Sequence, residues 1–443
     1  MLNRYVWAAM LMILVALLSV PAIAQARVLR FDFGSGTVAE GMTQVLPEMI
    51  YSESTGFGFE RGTSVKAVDR AGGNPVTCNF CTADAPFFFS VAVPEEGNYR
   101  VTVTLGDREA ESVTTIKAEL RRLMVQEVRT APGQFRTVNF IVNTRTPKIA
   151  PIGDMREGEV RLKAPRETTQ EAWAWDNRLT LEFGGSRPAV CAVEITKADV
   201  PTIFLLGDST VCDQPQEPYT SWGQMLTHFF KPTVAIANHG ESGESYSASL
   251  GRRRIDKIAS LMKPGDYLLM QFGHNDQKEK GEGVGPFLSY KANIKRHAAL
   301  VRARGGIPVI VSPMERRAFD ADGKLKPSLT DYAEASRQAA LEEGTAFIDL
   351  NTTSKRFYEA LGLRKSALAF AAPQGKQDNT HHNNYGSYEL AKCIVRGIRD
   401  SELAIAGDIV DDFKGFDPAH PDPLETFTLS AGPAQPSQRS PGN

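Results

Sequence analysis

Ser209, Asp378 and His381 are the residues whose types and spacing can do chemistry. Asp378 and His381 stand three apart in Asp378-Asn379-Thr380-His381. That spacing lets the carboxylate bond imidazole Nδ1 and leaves Nε2 for a hydroxyl, as acyl transfer requires. A serine hydroxyl is a poor nucleophile until such a base takes its proton. Ser209 offers one in Leu205-Leu206-Gly207-Asp208-Ser209-Thr210, where Gly207 permits a tight exit from an apolar run. Two further segments carry hydrogen-bond donors. Gly243 closes Ala237-Asn238-His239-Gly240-Glu241-Ser242-Gly243 with a bare backbone N–H, and Asn275 in Phe272-Gly273-His274-Asn275-Asp276 brings a side-chain amide. Ester hydrolysis needs donors aimed where negative charge develops, and losing one costs about 100-fold or more in rate. Taken singly, each segment reads equally as a turn after a strand. His274 reads as a packed or loop-capping residue. His382 is expected to turn outward, away from the site.

To converge, these segments must sit at one edge of a sheet. After Thr202 short apolar strands alternate with helical stretches. Strands are expected over 203–206, 234–237, 267–272, 307–312 and 346–350. Helices are expected over 221–230, 252–262, 289–304, 328–343, 354–361 and 384–399. This alternation predicts a parallel sheet covered on both faces, a three-layer α/β/α, flavodoxin-like fold with its site at the carboxyl ends of the strands. The preceding part, 28–197, reads as β. A compact apolar strand over 87–93, a turn over 94–98 and an alternating strand over 99–105 predict a hairpin with one buried face. Further strands are expected over 112–120, 137–142, 160–162 and 179–183, together a β-sandwich. The domains are then 27–198 (β-sandwich), 199–404 (α/β) and a C-terminal extension, 405–443, whose end from Ser430 is expected to be disordered.

Residues 1–26 read as an export signal. Asn3 and Arg4 precede an apolar stretch from Val6 to Val20, and Pro21 is followed by the small-x-small sites Ala22-Ile23-Ala24 and Ala24-Gln25-Ala26. A secreted or periplasmic protein, without stable membrane insertion once the signal is cleaved, is expected. The formal net charge of −2 gives no global field to attract nucleic acid or anionic membranes. The run Arg252-Arg253-Arg254 is expected on a solvated helix face. Five cysteines, Cys78, Cys81, Cys191, Cys212 and Cys393, leave at least one unpaired or paired between chains. Cys78-x-x-Cys81 has no second cysteine pair to complete a metal site, and is expected as a local disulfide or two thiols. The chemistry needs no metal or cofactor.

In their order and at their strand ends, Gly207-Asp208-Ser209, Gly243, Gly273-x-Asn275-Asp276 and Asp378-x-x-His381 resemble the SGNH (GDSL-like) hydrolase superfamily. Within it the chain is most similar to the rhamnogalacturonan acetylesterase branch. The resemblance implies Ser209 as nucleophile, His381 as base and Asp378 as its orienting carboxylate. It implies an oxyanion hole of the Ser209 N–H, the Gly243 N–H and the Asn275 side chain, with Asp208 supporting the loop. Glu244 stands where that branch commonly has arginine, a departure that bears on pocket shape. Phe31-Asp32-Phe33-Gly34-Ser35-Gly36 and Trp175-Asp176-Asn177-Arg178-Leu179-Thr180-Leu181 resemble the β-sandwich, galactose-binding-like modules that precede such esterases. Trp173 and Trp175 could stack on sugar rings; as alternate residues of a strand they could equally be core or cover the domain interface, the last being the preferred reading. The implied function is a secreted serine esterase removing O-acetyl groups from an acetylated plant cell-wall polysaccharide or oligosaccharide of rhamnogalacturonan or pectin type. The alternatives are a lipid or thioester acylhydrolase of the same fold and a non-catalytic carbohydrate-binding protein. All the chemistry is expected from Ser209 onward, with the sandwich serving polymeric substrates.

Overall fold

The structure, a computed structural model, describes residues 28–62, 64–430 and 432. The expected export signal lies outside them, as does the tail beyond Ser430 apart from Gly432.

A strand covered on both faces must be apolar along its whole length. Five such strands form the sheet of the C-terminal half: β1 (Thr202–Gly207), β2 (Ala235–Asn238), β3 (Tyr267–Gln271), β4 (Ile307–Val311) and β5 (Ala346–Ile348). Every residue of the first three is buried. The order is β2-β1-β3-β4-β5, parallel throughout, which is the flavodoxin-like arrangement. The helices are α1 (Trp222–Leu226), α2 (Tyr246–Gly251), α3 (Arg254–Leu261), α4 (Lys291–Arg302), α5 (Thr330–Glu343), α6 (Leu350–Lys365) and α7 (Asn384–Asp400). One face of the sheet packs on Trp222 and Met225 of α1, Phe357 of α6 and Ile394 and Ile398 of α7. The other packs on Ile258 of α3, Ile294 and Val301 of α4 and Ala335 and Ala339 of α5. Helix α2 is absent from the sequence reading. It starts where the Ser245 side chain accepts the Ala248 N–H at 3.1 Å.

The N-terminal half is a sandwich of two sheets. One contains Phe135–Thr144, Gly97–Gly106, Val190–Lys197, Leu29–Phe33 and Thr43–Val45, extended by Asn79–Thr82 and Lys66–Asp69. The other runs Phe57–Phe59, Phe87–Ala92, Arg178–Arg187, Ser112–Ala118, Arg122–Thr130. Phe33, Val101, Val103 and Val193 of the first meet Phe89, Ile116, Leu181 and Phe183 of the second. The expected hairpin over 87–105 is thereby corrected. Phe87–Ala92 pairs with Phe57–Phe59 and Arg178–Arg187, whereas Gly97–Gly106 pairs with Phe135–Thr144 and Val190–Lys197. The turn between them crosses from one sheet to the other.

The two halves are packed together. Arg122 is fully buried, donating to Asn143 O at 2.8 Å and Ile236 O at 3.3 Å, with Asp213 3.4 Å from its Nε. Gln224 and Thr227 reach back to the carbonyls of Leu120 and Leu123. The solvated helix face expected for the arginine run is also corrected. Arg254 is buried and bonded twice to Glu167, Arg252 and Arg254 flank Glu244, and Arg253 pairs with Asp256. The run fastens the α/β half to a segment of the sandwich half.

Candidate active site

The carboxyl edge of the sheet gathers the segments named above. Gly207 ends β1, and a Cβ there would lie 2.4 Å from Val211 Cγ2 and 2.5 Å from Gln271 O, so no larger residue fits that exit. Ser209 follows, nearly buried. Its Oγ lies 2.7 Å from His381 Nε2, and His381 Nδ1 lies 3.0 Å from Asp378 Oδ2. Asp378 Oδ1 accepts the backbone N–H groups of Thr380 at 2.7 Å and His381 at 3.0 Å. Burial works against charge on Asp378, yet these bonds and His381 hold its carboxyl well below the ordinary range. A carboxylate so fixed selects the tautomer with the proton on Nδ1, which leaves Nε2 as acceptor toward the serine hydroxyl. The loop is set against α7, whose N-cap Asn383 accepts the Gly386 N–H at 3.1 Å. Tyr219 places its ring edge-on to His381, centroids 5.9 Å apart.

Gly243 lies beyond β2 at φ +74°, a conformation that favours glycine. The Asn275 amide donates to Glu244 O at 3.0 Å, which sets that side chain beside the Gly243 turn. An amide nitrogen carries two hydrogens, so a second remains for an oxyanion. Asp208 accepts from the backbone and hydroxyl of Thr210, and His274 Nδ1 lies 3.3 Å from it. His274 thus braces the loop beneath the serine, in keeping with a packed residue. His382 does not turn outward. It is buried, with Nε2 2.8 Å from the Tyr358 hydroxyl, and burial followed by His381 pushes its pKa down to about 3.

Trp173 and Trp175 are not alternate residues of a strand. A short 3₁₀ turn, Ala172–Ala174, carries the first and ends at the second. Trp175 is 8% exposed, lies under the Arg145 guanidinium at 4.5 Å and donates to Glu167 at 3.1 Å. It packs with Leu120, Ile149 and Val160 of the sandwich half and meets His239 of the α/β half edge-on at 6.1 Å, so it is a core residue at the junction of the halves. Trp173 is partly exposed and meets Phe88 edge-on. All five cysteines are free and buried, Cys78 and Cys81 included.

The sequence reading missed the part of the sandwich half that reaches this edge. Lys163 Nζ donates to Ser242 O at 2.6 Å and pairs with Glu244 at 2.6 Å. Arg166 donates to Gln214 Oε1 at 3.3 Å, and Gln214 in turn donates to the Ser209 carbonyl at 2.8 Å. Glu167, Glu171 and Glu241 cluster nearby, with Arg166 and Arg254 set among them. Burial, then Glu171 and Glu167, push the Glu241 carboxyl well above the ordinary range. No periodicity marks this segment; its only sequence signal is the charge density of Lys163-Ala164-Pro165-Arg166-Glu167.

Asp276 accepts the Tyr246 N–H at 3.1 Å through Oδ1, while its buried Oδ2 has no hydrogen-bond partner among the described residues. Burial raises its pKa to about 8. The unfolded chain then releases this proton near the usual 3.8, and the folded chain holds it to about 8. Ionisation favours unfolding in that window, so stability falls as pH rises through it. Asp276→Asn mimics the protonated form. Relative to wild type it should gain up to about 1.4 kcal/mol per pH unit between pH 5 and 7 in urea unfolding. Parallel pH profiles of the two proteins would refute the buried protonated carboxyl.

With this geometry in hand, comparison with known proteins is decisive for the family. Residues 205–386 match the model of the GDSL-like lipase/acylhydrolase family. Rhamnogalacturonan acetylesterase RhgT of Bacillus subtilis is 35% identical over 219 residues, which are 47% of this chain and 94% of that protein. The chain belongs to the GDSL-like lipase/acylhydrolase family. Its sandwich half matches, over residues 29–129, the galactose-binding-like domain model of β-agarase/YXIM esterase-like proteins. The uncharacterized esterase YxiM of Bacillus subtilis is 27% identical over 407 residues, covering 86% of this chain and 93% of its own. The crystal structure of YxiM covers 85% of this chain and 99% of its own, at 24% identity and a TM-score of 0.45. This member of the GDSL-like family thus carries a sandwich ahead of its hydrolase half, as the sequence resemblance implied.

Proposed function

We propose that the chain is an exported serine esterase that removes O-acetyl groups from plant cell-wall polysaccharide of rhamnogalacturonan or pectin type. The observation that carries the reading is the unbroken relay Asp378–His381–Ser209, two hydrogen bonds of 3.0 and 2.7 Å. His381 takes the Ser209 proton as Oγ attacks the acetyl carbonyl. The oxyanion is met by the N–H groups of Ser209 and Gly243 and by the Asn275 amide. His381 returns the proton to the departing sugar oxygen, then activates the water that releases acetate. Asp378 holds the imidazole in register throughout. Export is supported by the apolar stretch and small-residue sites before residue 27. The substrate class is supported by the named activity of RhgT. Trp173, partly exposed, is the remaining aromatic candidate for a sugar contact.

The test is acetate release from a panel of acetylated polysaccharides, set beside p-nitrophenyl esters of increasing length. Acetylated rhamnogalacturonan and the acetyl ester should be the best substrates. A preference for acyl chains of about eight carbons or more would favour the lipid acylhydrolase. A folded protein whose Ser209 ignores a fluorophosphonate probe would favour the binding module.

A further inference from the structure

The peptide that joins Ser242 to Gly243 is gripped by the other half of the chain. Glu241 to Glu244 form a β-turn, with the Glu244 N–H donating to Glu241 O at 3.3 Å. Gly243, its third residue, has φ +74°, and Ser242 is not among the positive-φ residues. These are the signs of a type II turn. Type I differs chiefly by a flip of the central peptide, and glycine accepts both forms, so the turn alone does not fix which way that peptide faces. In a trans peptide the carbonyl and the N–H point in opposite directions. The Ser242 carbonyl is held by Lys163 Nζ at 2.6 Å, so the Gly243 N–H is directed away from Lys163.

The same ammonium pairs with Glu244 at 2.6 Å, and the Glu244 carbonyl holds the Asn275 amide at 3.0 Å. The cation thus bears directly on the Gly243 donor through the shared peptide, and reaches Asn275 only by fixing the residue whose backbone carbonyl accepts its amide. Its charge on the carbonyl oxygen also polarises the shared peptide and strengthens the N–H as a donor. Lys163 is itself anchored, its backbone N–H donating to Glu167 at 2.8 Å and Glu167 being bonded twice to Arg254.

We propose that Lys163 is a positioning residue for the hydrolysis. It locks and polarises the Ser242–Gly243 peptide so that the Gly243 N–H meets the developing oxyanion. The sandwich half then contributes to the chemical step as well as to any polymer contact. The proposal rests on the serine esterase reading of the same site.

The test uses the full chain and p-nitrophenyl acetate, a substrate too small to need remote sugar contacts. Lys163→Met should fold, because Arg252 at 3.2 Å and Arg254 at 3.8 Å still neutralise Glu244. Its kcat should fall about 10- to 100-fold while KM stays within about threefold. The affinity for phenylboronic acid, whose tetrahedral adduct on Ser209 mimics the oxyanion, should fall by the same factor as kcat/KM. Lys163→Arg should recover most of the loss. Lys263→Met, which removes an exposed ion pair with Asp199, should leave turnover unchanged. A kcat/KM within about threefold of wild type in Lys163→Met overturns the proposal. So does a kcat loss with unchanged boronate affinity, which would place the effect outside oxyanion stabilisation. A wild-type protein that neither turns over acetyl esters nor reacts with fluorophosphonate overturns the esterase reading itself, and this inference with it.

Discussion

Ser209→Ala and His381→Ala are each expected to lower the turnover of a short acetyl ester by about four to six powers of ten. The two act as one unit, through the 2.7 Å contact between Nε2 and Oγ, so the double variant should lose little more than either single one. Asp378→Asn should cost about 10⁴-fold, since an amide can donate to Nδ1 and favour the tautomer with its proton on Nε2, facing the serine. His382→Ala is the contrasting case. Its imidazole is bonded to and stacked on Tyr358 and tilted against Phe370, so its loss should cost stability, about 1–3 kcal/mol, and spare kcat. Steady-state kinetics with urea unfolding on the same samples separates the two effects. Near-normal turnover in His381→Ala, with a dead His382→Ala, would reassign the base.

What the sequence displayed of this site is what local chemistry alone can encode. A buried strand must end somewhere, and glycine with small polar residues marks that end, so Gly207-Asp208-Ser209 and Gly273-His274-Asn275 were visible. The Asp378-x-x-His381 bond is closed within one loop, and its spacing sufficed. The β-α rhythm carried the parallel sheet for the same reason, with strand bounds off by a residue or two. The sandwich pairing was not visible. Alternation over Tyr99 to Leu105 states that one face is buried, but both sheets of a sandwich bury their inner faces in one core. A hairpin and a crossing between sheets therefore write the same pattern, and nearness in sequence favoured the wrong one. Arg254 misled for a related reason. Charged residues are rarely buried unless paired, and its partner lies 87 residues earlier, in the other half. Lys163 was hidden by the same limit, because it acquires its place beside Ser242 and Glu244 only through tertiary packing.

That pairing across the halves carries the second large effect. Glu167→Ala is expected to destabilise the protein by about 3–5 kcal/mol, read as a lower urea midpoint. Glu167 accepts both guanidinium bonds of Arg254, at 3.0 and 2.6 Å, and also the Trp175 indole at 3.1 Å and the Lys163 backbone at 2.8 Å. Its removal strips a buried arginine of its bidentate partner and leaves a buried indole N–H without its acceptor. Burial alone would raise the Glu167 carboxyl, but Arg254 holds it below the ordinary value of 4.5. The sign of the pH dependence follows. The stabilisation is complete above the unfolded value and is lost as pH falls through the lowered folded one. The midpoint gap between wild type and Glu167→Ala should therefore narrow in acid. Replacing both partners, Glu167→Leu with Arg254→Met, should restore a good part of the stability at neutral pH, because no buried charge then lacks its counterion. It should not restore turnover fully, since Lys163 still lacks the carboxylate that anchors its backbone. A loss below about 1 kcal/mol in Glu167→Ala would instead mean that the pair is matched by water in solution and does not hold the two halves together.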